Sequence, residues 1–323
     1  MKARPRIAFI TTKEFRQQLH TERQLREFVY EDLGFLCLHF DVLSTGRTWA
    51  KVEEIVAGPP PDEYRSSIAA FLRVPAIEKY DLERWRNLFQ PPRFTRLSES
   101  VEGMIEIAYE LVEGRLDAVL HLTDWSQVSG KPPAMVIRRQ ANVHNVYMAA
   151  DYTSVKSAVR KWRMLAEGDK PIFREKVPVS PSPIEGLSGN VLALIAHDAK
   201  KLDMCHFVVE HARRIMEFDH ILTTGTTGRE VKRFLIAALQ SPQEVERKIR
   251  LCHSGPFGGD VQIAAAVIRG KCNKVIFLQD PMSSHAHETD IHLFEQAVLL
   301  FREAALKVDF ELACNVESAQ MLL

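Results

Sequence analysis

Hydrophobic residues in the C-terminal half of the chain come in short runs that alternate with longer amphipathic segments. Five runs predict strands, namely VLALIA, HILTT, RKIRLCH, KVIFLQD and DFELACN. The segments between them predict helices, and in the last of these Ile291, Phe294 and Val298 recur at helical spacing. Alternating strands and helices predict a mostly parallel sheet with helices on both faces, a three-layer α/β/α domain.

The N-terminal half repeats this pattern in the same order. RIAFITTKEFR resembles VLALIAHDAKK, and EGMIEIAYELVEGRLDAVLHLTDW resembles GGDVQIAAAVIRGKCNKVIFLQDP. Asp124 and Asp280 are 156 positions apart, whereas Gly46 and Gly225 are 179 positions apart. One insertion in the first copy explains the change in spacing. The sequence therefore predicts one fold present twice, and two unrelated α/β domains with similar strands are the alternative.

Two Pro-rich stretches mark the insertion in the first copy and the boundary between the copies. A Pro-rich stretch with a helix-like middle begins at Ala57 and supplies the predicted insertion. A second Pro-rich stretch joins the copies, and its prolines are incompatible with helix interiors or central strands. We predict domains at 1–166 and 188–323, with a linker at 167–187.

Composition narrows the classes of function. The 323 residues include 42 Lys and Arg against 42 Asp and Glu, so the chain lacks the basic excess of nucleic-acid-binding or membrane-surface proteins. The longest purely apolar runs, such as VLALIA, have six residues, and a spanning helix needs about 20. Five scattered cysteines without a CxxC motif favour a reduced, cytoplasmic protein. We expect no nucleic-acid partner and no membrane association.

Polar motifs follow the predicted strands of the second copy, where the carboxyl ends of parallel strands collect ligands. His197, Asp198 and Lys201 follow the first strand, and TGTTG follows the second and opens a helix predicted to begin near Arg229. Hydroxyls and backbone N–H groups at a helix N-terminus bind anions, and a lysine adds a full charge. A simple capping turn is the alternative for TGTTG.

Two further motifs carry acids and histidines. SGPFGGD places Asp260 in the first turn of a helix, where a carboxylate that complements the helix dipole is the simpler interpretation. Asp280 ends a strand and is followed by PMSSHAHETD, in which Asp290 fits a helix N-cap. The HAH segment lacks an obvious third ligand block, so we expect no metal. Together the motifs suit proton abstraction beside a carbonyl in a small phosphorylated substrate.

AHDAKK, TGTTG, SGPFGGD and the final DP…H..D block resemble, in this order, the methylglyoxal synthase family over roughly residues 190–320. The resemblance implies conversion of dihydroxyacetone phosphate to methylglyoxal and phosphate without a metal or organic cofactor. A related phosphorylated ketose remains open as the substrate. The fold implied is two tandem methylglyoxal-synthase-like α/β/α domains, of which the second is catalytic.

The resemblance also implies residue roles. Asp260 corresponds to the base that takes a carbon-bound proton, and His287 to the histidine that contacts the substrate oxygens. The positions that correspond to supporting acids are Asp198, Asp280 and Asp290. The positions that correspond to the pocket and its phosphate-binding groups are His197, Lys201, Thr224, Thr226, Thr227, Ser254 and Gly255.

Two departures from the family pattern qualify the expected function. The family continues past the last matched helix with a basic residue that reaches a neighbouring subunit, whereas this sequence stops at Leu323. The family forms homo-oligomers of single domains, so a homo-oligomer stays open here. The alternative function is therefore a non-catalytic or regulatory protein that binds a phosphorylated ligand on the same fold.

The first copy lacks the predicted base. By the spacing above, Met104 takes the place of Asp260, and a thioether cannot abstract a proton. Lys13, Arg16, Arg47 and Thr48 keep some anion-binding chemistry. Three roles stay open for this domain: completing a pseudo-symmetric pair, sensing a phosphorylated ligand, or binding a protein through the insertion.

Overall fold

The computed structural model describes residues 4–123, 132–174, 181–283, 288–304 and 310–323. The chain divides into two compact units, which we call unit one (Met1–Pro178) and unit two (Val179–Leu323). The point of division falls inside the segment 167–187. Within the described ranges, no helix combines the length and the apolar character needed to cross a bilayer.

Unit one is built on a sheet of five strands in which all neighbours are parallel. The strands are β1 (Arg6–Thr11), β2 (Asp41–Ser44), β3 (Phe94–Arg96), β4 (Ala118–Leu122) and β5 (Tyr147–Ala149). Their order in the sheet is β3-β2-β1-β4-β5. The helices are α1 (Lys13–Gln17), α2 (Leu19–Phe28), α3 (Gly34–His39), α4 (Gly46–Ala57), α5 (Asp62–Leu72), α6 (Lys79–Arg86), α7 (Ser100–Val112), α8 (Pro132–Val143) and α9 (Tyr152–Glu167), with a π-helix at Val29–Leu33 and a 3-10 turn at Asn87–Phe89.

The predicted insertion forms helices α5 and α6, which pack against the π-helix. Tyr30 of the π-helix stacks on Tyr64 of α5 and on Trp85 of α6, with ring centroids 4.9 and 5.6 Å apart. Its hydroxyl donates to the Ile55 carbonyl at 3.0 Å. Arg86 donates to the carbonyls at the end of α4, including that of Val56 at 2.8 Å. The insertion is therefore part of the core of unit one, because these aromatic side chains are buried among its helices.

Unit two repeats this architecture with a second parallel sheet. The strands are β6 (Val191–Ala196), β7 (His220–Thr223), β8 (Ile249–Leu251), β9 (Lys274–Leu278) and β10 (Glu311–Ala313), in the order β10-β9-β6-β7-β8. The helices are α10 (Lys201–Glu210), α11 (Ala212–Ile215), α12 (Gly225–Leu239), α13 (Pro242–Lys248), α14 (Gly259–Ile268), α15 (Glu288–Ala304) and α16 (Val316–Leu322), with 3-10 turns at Asp198–Lys200 and Gly255–Phe257.

Both faces of the second sheet are covered, as the continuous apolar runs predict. Leu192 and Leu194 of β6 contact a cluster that includes Phe207 of α10, while Phe277 of β9 meets Phe294 of α15 on the other face, with centroids 5.8 Å apart. In both units the first strand is central, the next two lie on one side of it and the last two on the other. The prediction of two tandem α/β/α domains with parallel sheets is confirmed.

Strand register gives the equivalent positions in the two units. Ile7 pairs with Ala118 as Leu192 pairs with Lys274. It follows that the residues just after β1 correspond to those just after β6, and likewise for β4 and β9. The spacing of 156 residues read from the sequence holds for this second pair of strands.

Two helices begin or end differently from the sequence prediction. Helix α12 begins at Gly225, so the TGTTG motif forms its first turn instead of a turn before Arg229. The helical stretch after Lys201 is interrupted near His211 and gives the separate helices α10 and α11. Threonine and glycine favour turns. In the TGTTG motif, however, contacts with the ends of β7 and β8 hold these residues in a helix.

Candidate active site

The polar motifs of unit two lie at the carboxyl ends of β6, β7 and β9. His197 follows β6, Thr224 follows β7 and Asp280 follows β9. The central strand β6 and its neighbour β9 flank the point where the strand order reverses, which is where open α/β sheets bind ligands. The backbone N–H of Asp280 donates to His197 Nδ1 across this point at 2.9 Å.

The first turn of α12 forms a cradle of hydroxyls and backbone N–H groups. Thr224 and Thr227 are buried and their hydroxyls are 3.3 Å apart, while Thr226 is half-buried. Thr227 Oγ1 also donates to the Ala196 carbonyl at the end of β6, at 3.4 Å. The early N–H groups of an α-helix have no intrahelical acceptor, so this turn suits an anion.

Lys201 begins α10, shortly after the end of β6, and its ammonium group has a weak internal partner. Its Nζ lies 2.5 Å from Asp198 Oδ1, yet the Asp198 side chain is 93% exposed. An ion pair with such an exposed partner contributes little, because water screens it. Lys201 can therefore exchange this carboxylate for a phosphate, whereas Asp198 points to solvent.

The SGPFGGD loop packs directly onto the start of α12. Gly225 N–H donates to the His253 carbonyl at 2.9 Å, and a Cβ at Gly225 would lie 3.1 Å from the Ser254 nitrogen. Ser254 and Gly255 are thus brought next to the threonine cradle. Gly259 is required, because a Cβ there would lie 2.0 Å from the His253 carbonyl oxygen.

Asp260 lies in the first turn of α14, directly after Gly259. Its side chain is buried, with 2% of the residue exposed. An ionised carboxylate is costly to bury, so one retained at the ligand edge of a sheet has a functional or a helix-dipole role. Asp290 is also fully buried, in the first turn of α15. It is therefore inside the helix as described, and not at the N-cap.

His197 is held in one orientation. It is 8% exposed, its ring meets Phe277 edge-on with centroids 4.9 Å apart, and Nδ1 accepts from the Asp280 backbone. Since Nδ1 is an acceptor, the neutral ring carries its proton on Nε2. His197 is therefore suited to donate a hydrogen bond from Nε2.

The Asp280 carboxylate closes a turn. It accepts from the Ser283 hydroxyl at 2.5 Å and from the Met282 N–H at 3.0 Å. The Ser283 hydrogen bond lowers the pKa of Asp280 below its usual value, and the Met282 bond adds to this. The side chain is thus engaged in the turn, while the backbone N–H orients His197. His287 lies outside the described residues.

Gln262 is a site residue that the sequence analysis missed. It is 1% exposed, and its Oε1 accepts from the His253 N–H at 2.7 Å, which fixes the loop that carries Ser254. A polar residue inside the apolar segment VQIAAAVI was the available signal. Among the described residues, no group of three or more His, Cys, Asp or Glu side chains has the arrangement of metal ligands.

Comparisons with known proteins converge on one family. No protein-family model matches the chain. A methylglyoxal synthase from Ralstonia nicotianae is 42% identical over 106 residues, which is 33% of this chain and 70% of that protein. One from Thermus thermophilus is 44% identical over 100 residues, 31% of this chain and 71% of that protein. One from Burkholderia vietnamiensis is 36% identical over 132 residues, 41% of this chain and 88% of that protein.

Among solved structures, the methylglyoxal synthase from Elizabethkingia anophelis NUHP1 matches with 26% identity and a TM-score of 0.33, over 41% of this chain and 75% of that one. The curated relatives cover the C-terminal part of the chain. At 36–44% identity over most of the length of those relatives, the chain belongs, through unit two, to the methylglyoxal synthase family.

Proposed function

We propose that unit two converts dihydroxyacetone phosphate to methylglyoxal and inorganic phosphate. The observation that carries this proposal is a buried carboxylate, Asp260, at the ligand edge of a sheet that also carries an anion cradle. The similarity to methylglyoxal synthases supports the same reaction.

The chemistry needs a base and an anion site. Asp260 takes a carbon-bound proton next to the carbonyl, which gives an enediol phosphate. The C–O bond to phosphate then breaks, phosphate leaves with the bonding electrons, and the remaining enol becomes methylglyoxal. The atoms of the substrate are fully divided between the two products, so neither an oxidant nor water is consumed.

The cradle and His197 have separate roles in this proposal. Lys201, Thr226 and the N–H groups at the start of α12 hold the phosphate before and during its departure. His197, which carries its proton on Nε2 when neutral, donates to a substrate oxygen and stabilises the charge that develops there. The sequence resemblance gives His287 a comparable role.

Turnover by the full chain tests this function. With dihydroxyacetone phosphate as substrate, we expect equal release of methylglyoxal and phosphate. Asp260→Asn keeps the size of the side chain but removes the base, and it should lower kcat/KM by about 10²–10⁴-fold. Asp203→Asn is the matched control, because Asp203 lies on α10 and pairs with Lys200 at 3.1 Å.

The outcome also separates catalysis from binding alone. Binding of the substrate without product would favour a non-catalytic protein on this fold. Equal turnover by wild type and Asp260→Asn would show that Asp260 is not the base.

A further inference from the structure

The carboxyl edge of unit one carries arginines where unit two carries its cradle. By strand register, Arg16 takes the place of Lys201 and Arg47 that of Thr226. A third arginine, Arg96, ends β3. Guanidinium groups bind phosphate through paired N–H donors, so this replacement strengthens the potential for anion binding.

The threonine framework of the cradle is kept in unit one. Thr45 and Thr48 hydroxyls are 3.0 Å apart, and Thr48 Oγ1 lies 3.4 Å from the Thr11 carbonyl at the end of β1. These contacts match those of Thr224 and Thr227 in unit two. Arg16 joins the framework, because it donates to Thr11 Oγ1 at 3.1 Å. The start of α4 therefore has the same shape as the start of α12.

The positive charges at this edge are close enough to oppose one another. Arg16 is half-buried, and burial lowers its pKa, with a further lowering from the neighbouring Arg47. Glu14 and Glu99 act in the opposite direction. Arginines that repel each other are stabilised by an anion placed between them.

A carboxylate of the protein already occupies the start of α4. A Cβ at Gly46 would lie 2.7 Å from Glu99 Oε1, so this oxygen sits against the first turn of the helix. Glu99 pairs with Arg96 at 2.5 Å and with Arg47 at 3.8 Å. The side chains of Arg47, Glu99 and Arg96 are 56%, 52% and 49% exposed, so a solute can reach them.

Trp49 contributes an indole beside the same arginines. The Arg96 guanidinium lies 5.4 Å from the centre of the Trp49 ring. Trp49 Nε1 is buried and has no hydrogen-bond partner within the described part of the chain. A buried donor without an acceptor is uncommon in folded proteins and is often explained by a bound water or ion.

We propose that the carboxyl edge of unit one is a second anion-binding site, for a small phosphorylated molecule, and that the Glu99 carboxylate occupies it when no ligand is bound. Arg16, Arg47 and Arg96 bind the phosphate group, together with the N–H groups at the start of α4. Because Met104 stands where unit two has Asp260, the site binds its ligand without turning it over.

Intrinsic fluorescence of the chain arises from unit one. All four tryptophans and all six tyrosines of the chain precede residue 179. Inorganic phosphate is titrated into the full chain at constant ionic strength while tryptophan emission is recorded. Glu99→Gln removes the competing carboxylate and should increase the affinity for phosphate about tenfold or more over wild type.

Two variants make the test specific. Glu53→Gln removes one negative charge from an exposed position on α4 and should leave the affinity within about twofold of wild type. Arg47→Met combined with Glu99→Gln should abolish the gain. The proposal is overturned if Glu99→Gln binds phosphate no better than Glu53→Gln, or if the gain survives Arg47→Met.

Discussion

The carboxyl edges of the two units share a backbone framework and differ in the charges placed on it. Both begin a helix after the second strand, and both link two threonine hydroxyls in its first turn, Thr45 to Thr48 and Thr224 to Thr227. Unit two adds a lysine and a buried carboxylate, whereas unit one adds arginines. The fold therefore provides the positions, and the side chains decide between chemistry and binding.

The loop before α14 and its counterpart before α7 show where the two edges differ. His253 N–H donates to Gln262 Oε1 at 2.7 Å, and Ser98 N–H donates to Glu106 Oε2 at 2.9 Å, which identifies these pairs as equivalent. From there to the required glycine, Gly259 or Gly103, the loop of unit one is one residue shorter. Counted from the equivalent residues Ser98 and His253, Glu99 takes the place of Ser254, and its carboxylate lies against the start of α4.

Removing the lysine of unit two should have the largest effect on ligand binding at its carboxyl edge. Lys201→Met should raise KM for dihydroxyacetone phosphate by about 10–100-fold, because a hydrogen bond to a charged group contributes roughly 1.5–3 kcal/mol. Steady-state kinetics on the full chain measures it. Lys232→Met is the control, since Lys232 lies farther along α12 and pairs with Glu246 at 2.9 Å. Equal effects of the two substitutions would mean that Lys201 acts only through general charge.

The close packing of Gly228 against β7, below the cradle, should contribute to the free energy of unfolding. A Cβ at Gly228 would lie 1.7 Å from Thr223 Oγ1, and Thr223 is fully buried. Gly228→Ala should lower the free energy of unfolding by about 1–3 kcal/mol, although alanine normally favours a helix over glycine. Urea unfolding followed by circular dichroism measures it.

Gly58 supplies the control for this packing effect. A Cβ there would meet nothing within 4 Å, so Gly58→Ala should be neutral or slightly stabilising. A neutral or stabilising result for Gly228→Ala would show that β7 can move away from α12.

The smallest expected effect concerns the N-cap side chains of the last helix in each unit. Asp151 caps α9 by accepting from the Ser154 N–H at 2.9 Å, and Asn315 caps α16 in the same way through Ser318 at 2.9 Å. Removing either cap with alanine should cost about 1 kcal/mol at neutral pH. The Ser154 hydrogen bond lowers the pKa of Asp151.

A lowered pKa gives the two caps different pH dependence. The charge-dependent contribution of Asp151 is complete above its ordinary pKa and is lost as the pH falls through the lowered value. Tryptophan-monitored unfolding should therefore show a smaller cost of Asp151→Ala in acid, and Asp151→Asn should remove this dependence. An equal cost of Asp151→Ala at both pH values would contradict the assignment.

The sequence predicted the fold because the central strands are buried on both faces and therefore read as apolar runs. VLALIA is buried at all six positions, and its counterpart β1 at five of six. The repeat predicted that the two copies share one fold, whereas the order of the strands in each sheet came only from the structure. The start of α12 was placed too late, because glycine and threonine have low helix propensity and tertiary contacts decided their conformation.

The motifs of the candidate site could be predicted from the sequence, but the contacts between their residues could not. The adjacency of Ser254 to the threonine cradle depends on Gly225 approaching the loop, which no local pattern reveals. The turn that engages the Asp280 carboxylate was missed for the same reason. Glu99 was overlooked because the shortened loop shifts it by one position against the repeat.

Trp49 occupies the position of Gly228, and this replacement bears on how many changes would give unit one the catalytic arrangement proposed for unit two. Restoring an aspartate at Met104 would supply a base, but the indole and the shorter loop would remain in the place of the open cradle. A single substitution at Met104 therefore does not convert the carboxyl edge of unit one into that of unit two, because the shape of the edge differs as well as its charges.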